Sequence, residues 1–236
     1  LICSAIEATA LQPEMQVKGC AALANIVCHH KGNAMIVGQA GGVLQLCALM
    51  ALQPDRAELQ EAALRALANL MVETSCVELA LANEGVVRLC EAMAAHADSP
   101  SVQLEGCRTV TNMAREADEA ADALVAAGAP ALVVKAMGSN KHAIGVQREA
   151  CAALANLARD VDTEQAVVEA GGVEAILAAV KQHMATASVL EEGCAALSRL
   201  GLYNEAARER LYQAGVVPLV CEAIGAAEAT HPEVCA

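Results

Sequence analysis

The chain has 236 residues, 56% of them hydrophobic, yet it holds no Phe, no Trp and only two Tyr, so Ala, Leu and Val must build its interior. A formal net charge of −13 and a pI of about 4.8 exclude a nucleic-acid backbone or an anionic membrane surface as the main partner, because both need a net basic footprint. No segment is expected to span a bilayer as one continuous apolar helix, and the acidity keeps an Ala-rich chain in solution.

In chain order, Ile2, Cys3 and Ile6 read as the end of a helix that leaves through the turn Pro13-Glu14-Met15. An Ala/Leu-rich helix around Gly19 to Ile26 follows. Asn33 to Ala40 can form a short helix that Gly41-Gly42 ends through a left-handed cap. Val43 to Leu52 has apolar residues at helical spacing, and Gln53-Pro54-Asp55 breaks it. Arg56 to Val72 is then a longer helix with Leu59, Ala63, Leu64, Leu67 and Leu70 on one face.

This three-helix unit recurs. GCAALANI (Gly19 to Ile26) returns as AALRALANL from Ala62, GCRTVTNM from Gly106, ACAALANL from Ala150 and GCAALSRL from Gly193. The aligned Asn25, Asn69, Asn112, Asn156 and Arg199 are 44, 43, 44 and 43 residues apart. A glycine series, Gly42, Gly85, Gly128, Gly172 and Gly215, runs beside it at 43, 43, 44 and 43. Such a period means one structural unit copied and stacked, hence a helical solenoid whose function is carried by a long surface. Pro130 and Pro218 follow the glycine at the start of the second helix, where a missing N–H costs least.

Of the eleven cysteines, six repeat with the same period. Cys20, Cys107, Cys151 and Cys194 lie five residues before the Asn column, where the second unit has Leu64; Cys47 and Cys90 lie where other units have Val133, Leu177 and Val220. A column that alternates Cys with Leu or Val is a core column of small apolar side chains. The odd count and the lack of any CxxC pair point to a reducing, intracellular and cytoplasmic setting.

The texture of EAGGVEAILAAV (Glu169 to Val180) and REACAALANLARD (Arg148 to Asp160) resembles the armadillo consensus, and the resemblance covers the whole chain. It implies an all-α, right-handed superhelix with three helices per unit: a partial repeat 1–30, repeats 31–73, 74–116, 117–160 and 161–203, and a partial repeat 204–236. The chain is expected to be a segment of a longer array, or to have its ends covered by partner surfaces, since neither end carries a polar capping unit.

In armadillo proteins the third helices line a concave groove. Carried over, the resemblance exposes there the positions seven and four before the Asn, one before it, the Asn itself, and three and four after it. The candidate peptide-binding residues are Asn25, Asn69, Asn112, Asn156, Arg65, Arg108, Arg115, Arg159 and Arg199. A carboxamide both donates and accepts, so each Asn can hold one peptide unit, unless it bonds locally within its own repeat. The importin-α branch stacks Trp four residues before the Asn; here Ala21, Arg65, Arg108, Ala152 and Ala195 stand there, and a basic import signal is not expected. Six of the 15 basic residues fall on groove positions against six acids, so the groove is less acidic than the molecule and suits a mildly acidic or mixed extended segment. The alternative is that these charges pair along and between helices and bind nothing.

Cys28, His29 and His30 are adjacent, but consecutive helical residues point apart and do not share one ion. The GG pairs are helix ends rather than phosphate loops, and no catalytic constellation stands apart from the repeat. The expected function is a non-enzymatic scaffold for a protein partner, with no cofactor, metal, nucleic acid or membrane insertion. The alternative is a structural subunit of a large assembly, built in through its convex face and ends with an empty groove. A redox role would need an exposed, low-pKa thiol, and Cys28 is the only groove candidate.

Overall fold

The computed structural model describes residues 13–230; the readings on Ile2, Cys3 and Ile6 and on the C-terminal residues beyond 230 lie outside them. The described residues form fifteen α-helices and no strand: α1 (Pro13–Val27), α2 (Lys31–Gln39), α3 (Gly42–Leu52), α4 (Ala57–Leu70), α5 (Thr74–Ala82), α6 (Gly85–Ala95), α7 (Pro100–Glu116), α8 (Asp118–Ala126), α9 (Ala129–Ser139), α10 (Ile144–Leu157), α11 (Val161–Glu169), α12 (Gly172–Gln182), α13 (Ala187–Arg199), α14 (Glu205–Gln213) and α15 (Val216–Thr230). First helices of nine residues, second helices of eleven and longer third helices alternate throughout the interior units.

The joint between first and second helix is set by one residue in the left-handed region. That residue is Gly41, Glu84, Gly128, Gly171 or Gly215, with φ from 57° at Glu84 to 87° at Gly171. The glycine series read from sequence therefore mixes two positions. Gly128 and Gly215 are the left-handed residues, whereas Gly42, Gly85 and Gly172 sit one place later and open the second helix. At Gly42 an added Cβ would meet the Val37 side chain at 2.5 Å, so its role is close approach of the two helices rather than positive φ. Glu84 shows that the conformation, not glycine itself, is what the joint requires; a non-Gly residue there carries local strain.

The joint bends sharply. α2 and α3 meet at 69°, and α8 and α9 at 71°. The uncharged stretch from Gly32 to Pro54 is thus divided between two helices. No single described helix is long and apolar enough to cross a membrane.

The core is continuous along the stack. Leu46, Leu59, Leu64, Leu89, Met113, Leu124, Leu154, Leu157 and Ile176 are fully buried, each stabilising by about 1.5–3 kcal/mol through apolar area removed from water. Cys20, Cys107 and Cys151 are buried in that core and Cys47 nearly so, while Cys90 and Cys194 are half-buried. Ala at the contact positions lets the third helices lie close, so α1, α4, α7, α10 and α13 pack in sequence along one another.

A glutamine column completes the unit, and the sequence reading missed it. Gln60 Nε2 donates to the carbonyls of Met50 and Gln53 at 3.0 and 2.9 Å. Gln103 repeats this on Met93 and His96, both at 2.9 Å, and Gln147 on Met137 and Asn140, both at 3.0 Å. Each ties the third helix to the exit of the second helix of the same unit, satisfying the orphan methionine carbonyl and adding a second donor to a carbonyl of the exit turn. The signal was present: Gln16, Gln60, Gln103 and Gln147 stand nine residues before the Asn column, with Leu190 in the fifth unit.

Candidate functional site

Eight of the nine candidate residues lie on third helices and Arg159 lies two residues past the end of α10, but the face they form is shallower than expected. Ala24, Ala62, Ala68, Glu105, Thr111, Ala152 and Ala155, all read as exposed groove positions, are buried between adjacent third helices. The reason is the alanine content: with no bulky side chain to separate them, successive helices close over their own inner surface. Arg65, Arg108, Asn156 and Arg159 are half-buried, and Asn25, Arg115 and Arg199 are exposed.

The Asn column is used in two ways. Asn69 Nδ2 donates to Ala24 O at 2.9 Å and Asn112 Nδ2 to Ala68 O at 2.7 Å, so each amide bridges to the third helix of the preceding repeat. Their oxygens are also engaged, Asn69 Oδ1 by Arg108 Nη2 and Asn112 Oδ1 by Arg115 Nη2 at 3.0 Å. Both residues are 9% exposed, and one amide hydrogen of each is left over. Asn156 instead bonds back within its own helix, Nδ2 to Ala152 O at 2.8 Å. The bridge at that seam is made by Arg159, whose Nη1 donates to Ala114 O while Nη2 pairs with Asp118 Oδ1. At the fifth unit Arg199 Nη1 takes the Asn's place and reaches Ala155 O at 3.3 Å.

The charges divide similarly. Arg108 Nη1 lies 3.3 Å from Glu105 Oε2, and Arg148 pairs with Glu149 at 2.5 Å. Glu105 is 7% exposed, and its Oε2 accepts no hydrogen bond. Burial pushes its carboxyl above the usual range; Arg108 and Arg65 pull it back, and Glu61 and Glu149 push it further up. Glu192 is also raised, by burial first and then by Glu149 and Glu191, against Arg148. Arg65 makes no ion pair among the described residues, and its buried Nε has no hydrogen-bond partner there.

At the edge of the face, where third helices turn into first helices, polar clamps join the units. Glu116 takes Lys31 Nζ at 3.3 Å and Thr74 Oγ1 at 3.0 Å. Asp160 caps α11 through a reciprocal box with Thr163, and the backbone and side-chain bonds from Thr163 hold its carboxyl below the usual range. The fully buried Glu164 accepts from the backbone N–H groups of Tyr203 and Asn204 at 2.9 and 3.2 Å.

The remaining sequence candidates have local roles. His30 caps α2, its Nδ1 accepting from Asn33 N at 3.1 Å. No three His, Cys, Asp or Glu side chains gather with metal-binding geometry among the described residues. Burial drives the thiols of Cys20 and Cys151 up to about 12 and those of Cys47, Cys76 and Cys90 to about 11. Such groups are poor nucleophiles at neutral pH.

No curated protein matches the chain. An engineered protein solved by crystallography superimposes with a TM-score of 0.83 at 28% identity, over 96% of this chain and 93% of that one. A second engineered protein reaches 0.81 at 25% identity, over 96% and 97%. A designed armadillo repeat protein in complex with the peptide (KR)4 has a TM-score of 0.80 at 20% identity, over 97% of each chain, a likeness of fold alone. The family model described as LRRK2 ARM repeat matches residues 1–226. With its stacked units of short, middle and long helix, the chain belongs to the LRRK2-type armadillo-repeat family.

Proposed function

We propose that this armadillo scaffold is a non-enzymatic protein–protein interaction module that holds an extended segment of a partner along the third-helix face. The observation that carries the reading is Arg65, a half-buried cation on that face with no ion pair of its own. A guanidinium in that position favours a planar, anionic acceptor, so an acidic side chain of the partner is the group selected there. Among the described residues no neighbouring repeat engages the carboxamides of Asn25 and Asn156, and Asn69 and Asn112 offer one amide hydrogen each. Third helices ~8–10 Å apart meet an extended strand, which advances ~3.3 Å per residue, at every second or third residue. The designed armadillo protein with its bound (KR)4 peptide supports the use of this fold for extended segments. The cysteines of the described residues are unpaired, which suits a reducing, cytoplasmic setting.

A second reading, a structural subunit with an empty groove, is favoured by one observation: Asn69 and Asn112 are already bonded on both amide nitrogen and oxygen within the array. Affinity capture from the native source with wild type, Arg65→Ala and Asn156→Ala separates the two. Arg65 makes no side-chain hydrogen bond or ion pair among the described residues and only a distant attraction to Glu105, so its loss should change stability little and remove the partner. A partner set unchanged in both variants would sink the groove reading and leave the assembly role.

A further inference from the structure

The face contains a chain of polar groups that crosses from repeat to repeat, with Asn69 and Glu105 buried and Arg108 half-buried between them. Asn69 donates to Ala24 O; Arg108 donates to Asn69 Oδ1; the other terminal nitrogen of Arg108 lies 3.3 Å from Glu105 Oε2. Arg108 is therefore held at both ends, by a neutral amide on α4 and by a carboxylate on its own helix. The carboxylate end is the weak one. Glu105 Oε2 is buried and receives no hydrogen bond; Arg108 is its one direct ionic contact, and Arg65 adds a more distant attraction. A buried charge so poorly solvated is stable only while its partner stays in place.

We propose that Glu105, Arg108 and Asn69 form a proton-operated latch in the floor of the third-helix face. With Glu105 ionised, Arg108 lies down between it and Asn69 and closes the floor. When Glu105 takes up a proton its attraction for Arg108 is lost, Arg108 lifts toward the open face, and Asn69 Oδ1 becomes free to accept. The step moves one proton from solvent to Glu105 and breaks no covalent bond. The groups that face Glu105 from the packed elements are Glu61 and Arg65 on α4, Arg108 on α7 and Glu149 on α10, the last already paired with Arg148. Burial and the two neighbouring carboxylates favour the protonated form, whereas the two arginines oppose it. Mild acidification would then expose Arg108 more fully and free a carbonyl-type acceptor that Arg108 occupies in a neutral medium. This use rests on the groove reading above; the latch itself does not.

The test needs no partner. The side-chain amide resonances of Asn69 are followed by NMR from neutral to mildly acidic pH in wild type, Glu105→Gln and Glu149→Gln. In wild type they should move with one midpoint above the ordinary carboxylate range. Glu105→Gln should abolish the movement and hold the signal at the wild-type acid position. Glu149→Gln, which removes a repelling charge, should keep the movement but shift its midpoint downward. A wild-type signal that stays still, or that moves equally in Glu105→Gln, overturns the latch. Should Glu105→Gln fail to fold, the carboxyl carbon of Glu105 in wild type must titrate together with the Asn69 amide, and separate midpoints overturn it as well. A positive titration beside an unchanged partner set would leave the latch standing and remove the groove reading.

Discussion

The two halves of the array bridge their third helices with different chemistry. Between α1, α4 and α7 the bridge is a buried Asn whose short side chain spans to Ala24 or Ala68 and whose oxygen is clasped by an arginine. Between α7, α10 and α13 the bridge passes to Arg159 and Arg199, reaching Ala114 and Ala155 from more exposed positions. A short amide with two rotatable bonds fixes distance and angle. A long guanidinium makes a longer-range contact at higher entropic cost and tolerates displacement. The same column thus provides a rigid floor on one side and leaves Asn156 uncommitted on the other.

The largest effect sets the baseline. Gln103→Ala and Gln147→Ala lie in the two halves but make the same pair of buried bonds. Each should lower stability by about 1–3 kcal/mol in urea unfolding, since the buried carbonyl of Met93 or Met137 loses its donor; unequal losses would mean that the halves differ in more than their bridges. Next, Asn112→Ala should cost about 1–2 kcal/mol, whereas Asn156→Ala, which loses only a bond within its own helix, should cost about 0.5 kcal/mol or less. Equal losses would erase the distinction. Asp160→Ala removes the cap of α11, worth about 1 kcal/mol.

The smallest effect concerns the sign of two acids. Asp160 has a lowered folded pKa, so its contribution is present above the ordinary carboxylate value and is lost as pH falls through the folded one. Glu105 has a raised folded pKa; its ionised form costs stability at neutral pH, and that cost disappears as pH falls through the raised value toward the ordinary one. Glu105→Gln should therefore raise the denaturation midpoint at neutral pH, with the gain over wild type shrinking in mild acid, while Asp160→Ala should show its deficit at neutral pH and lose it in strong acid. A pH-independent difference for both would remove any proton linkage from the face.

The repeat, the three-helix unit and the cysteine columns were legible because they follow from periodicity and side-chain size. Cys20, Cys107 and Cys151 are buried where a column shared with Leu64 requires it. The depth of the face was not legible, because burial of Ala68 or Thr111 depends on how closely the next third helix approaches, which no single repeat encodes. The glycine column misled for a related reason: Gly42 and Gly128 look equivalent in sequence, but one opens a helix and the other carries the left-handed φ. The glutamines were passed over because a polar residue amid an apolar stripe reads as surface. The period that identified the asparagines marks them equally well.

Those glutamines also bear on how the chain folds. Each closes loops of ten and seven residues inside its own unit, among the cheapest closures in entropy. A second helix and the third helix after it can therefore lock before any neighbouring unit is in place. Low contact order of this kind favours fast, unit-by-unit growth from several starting points. The fifth unit, with Leu190 in that column, has no such lock. Native-state hydrogen exchange should find α12 and α13 opening before the units that carry Gln60, Gln103 and Gln147.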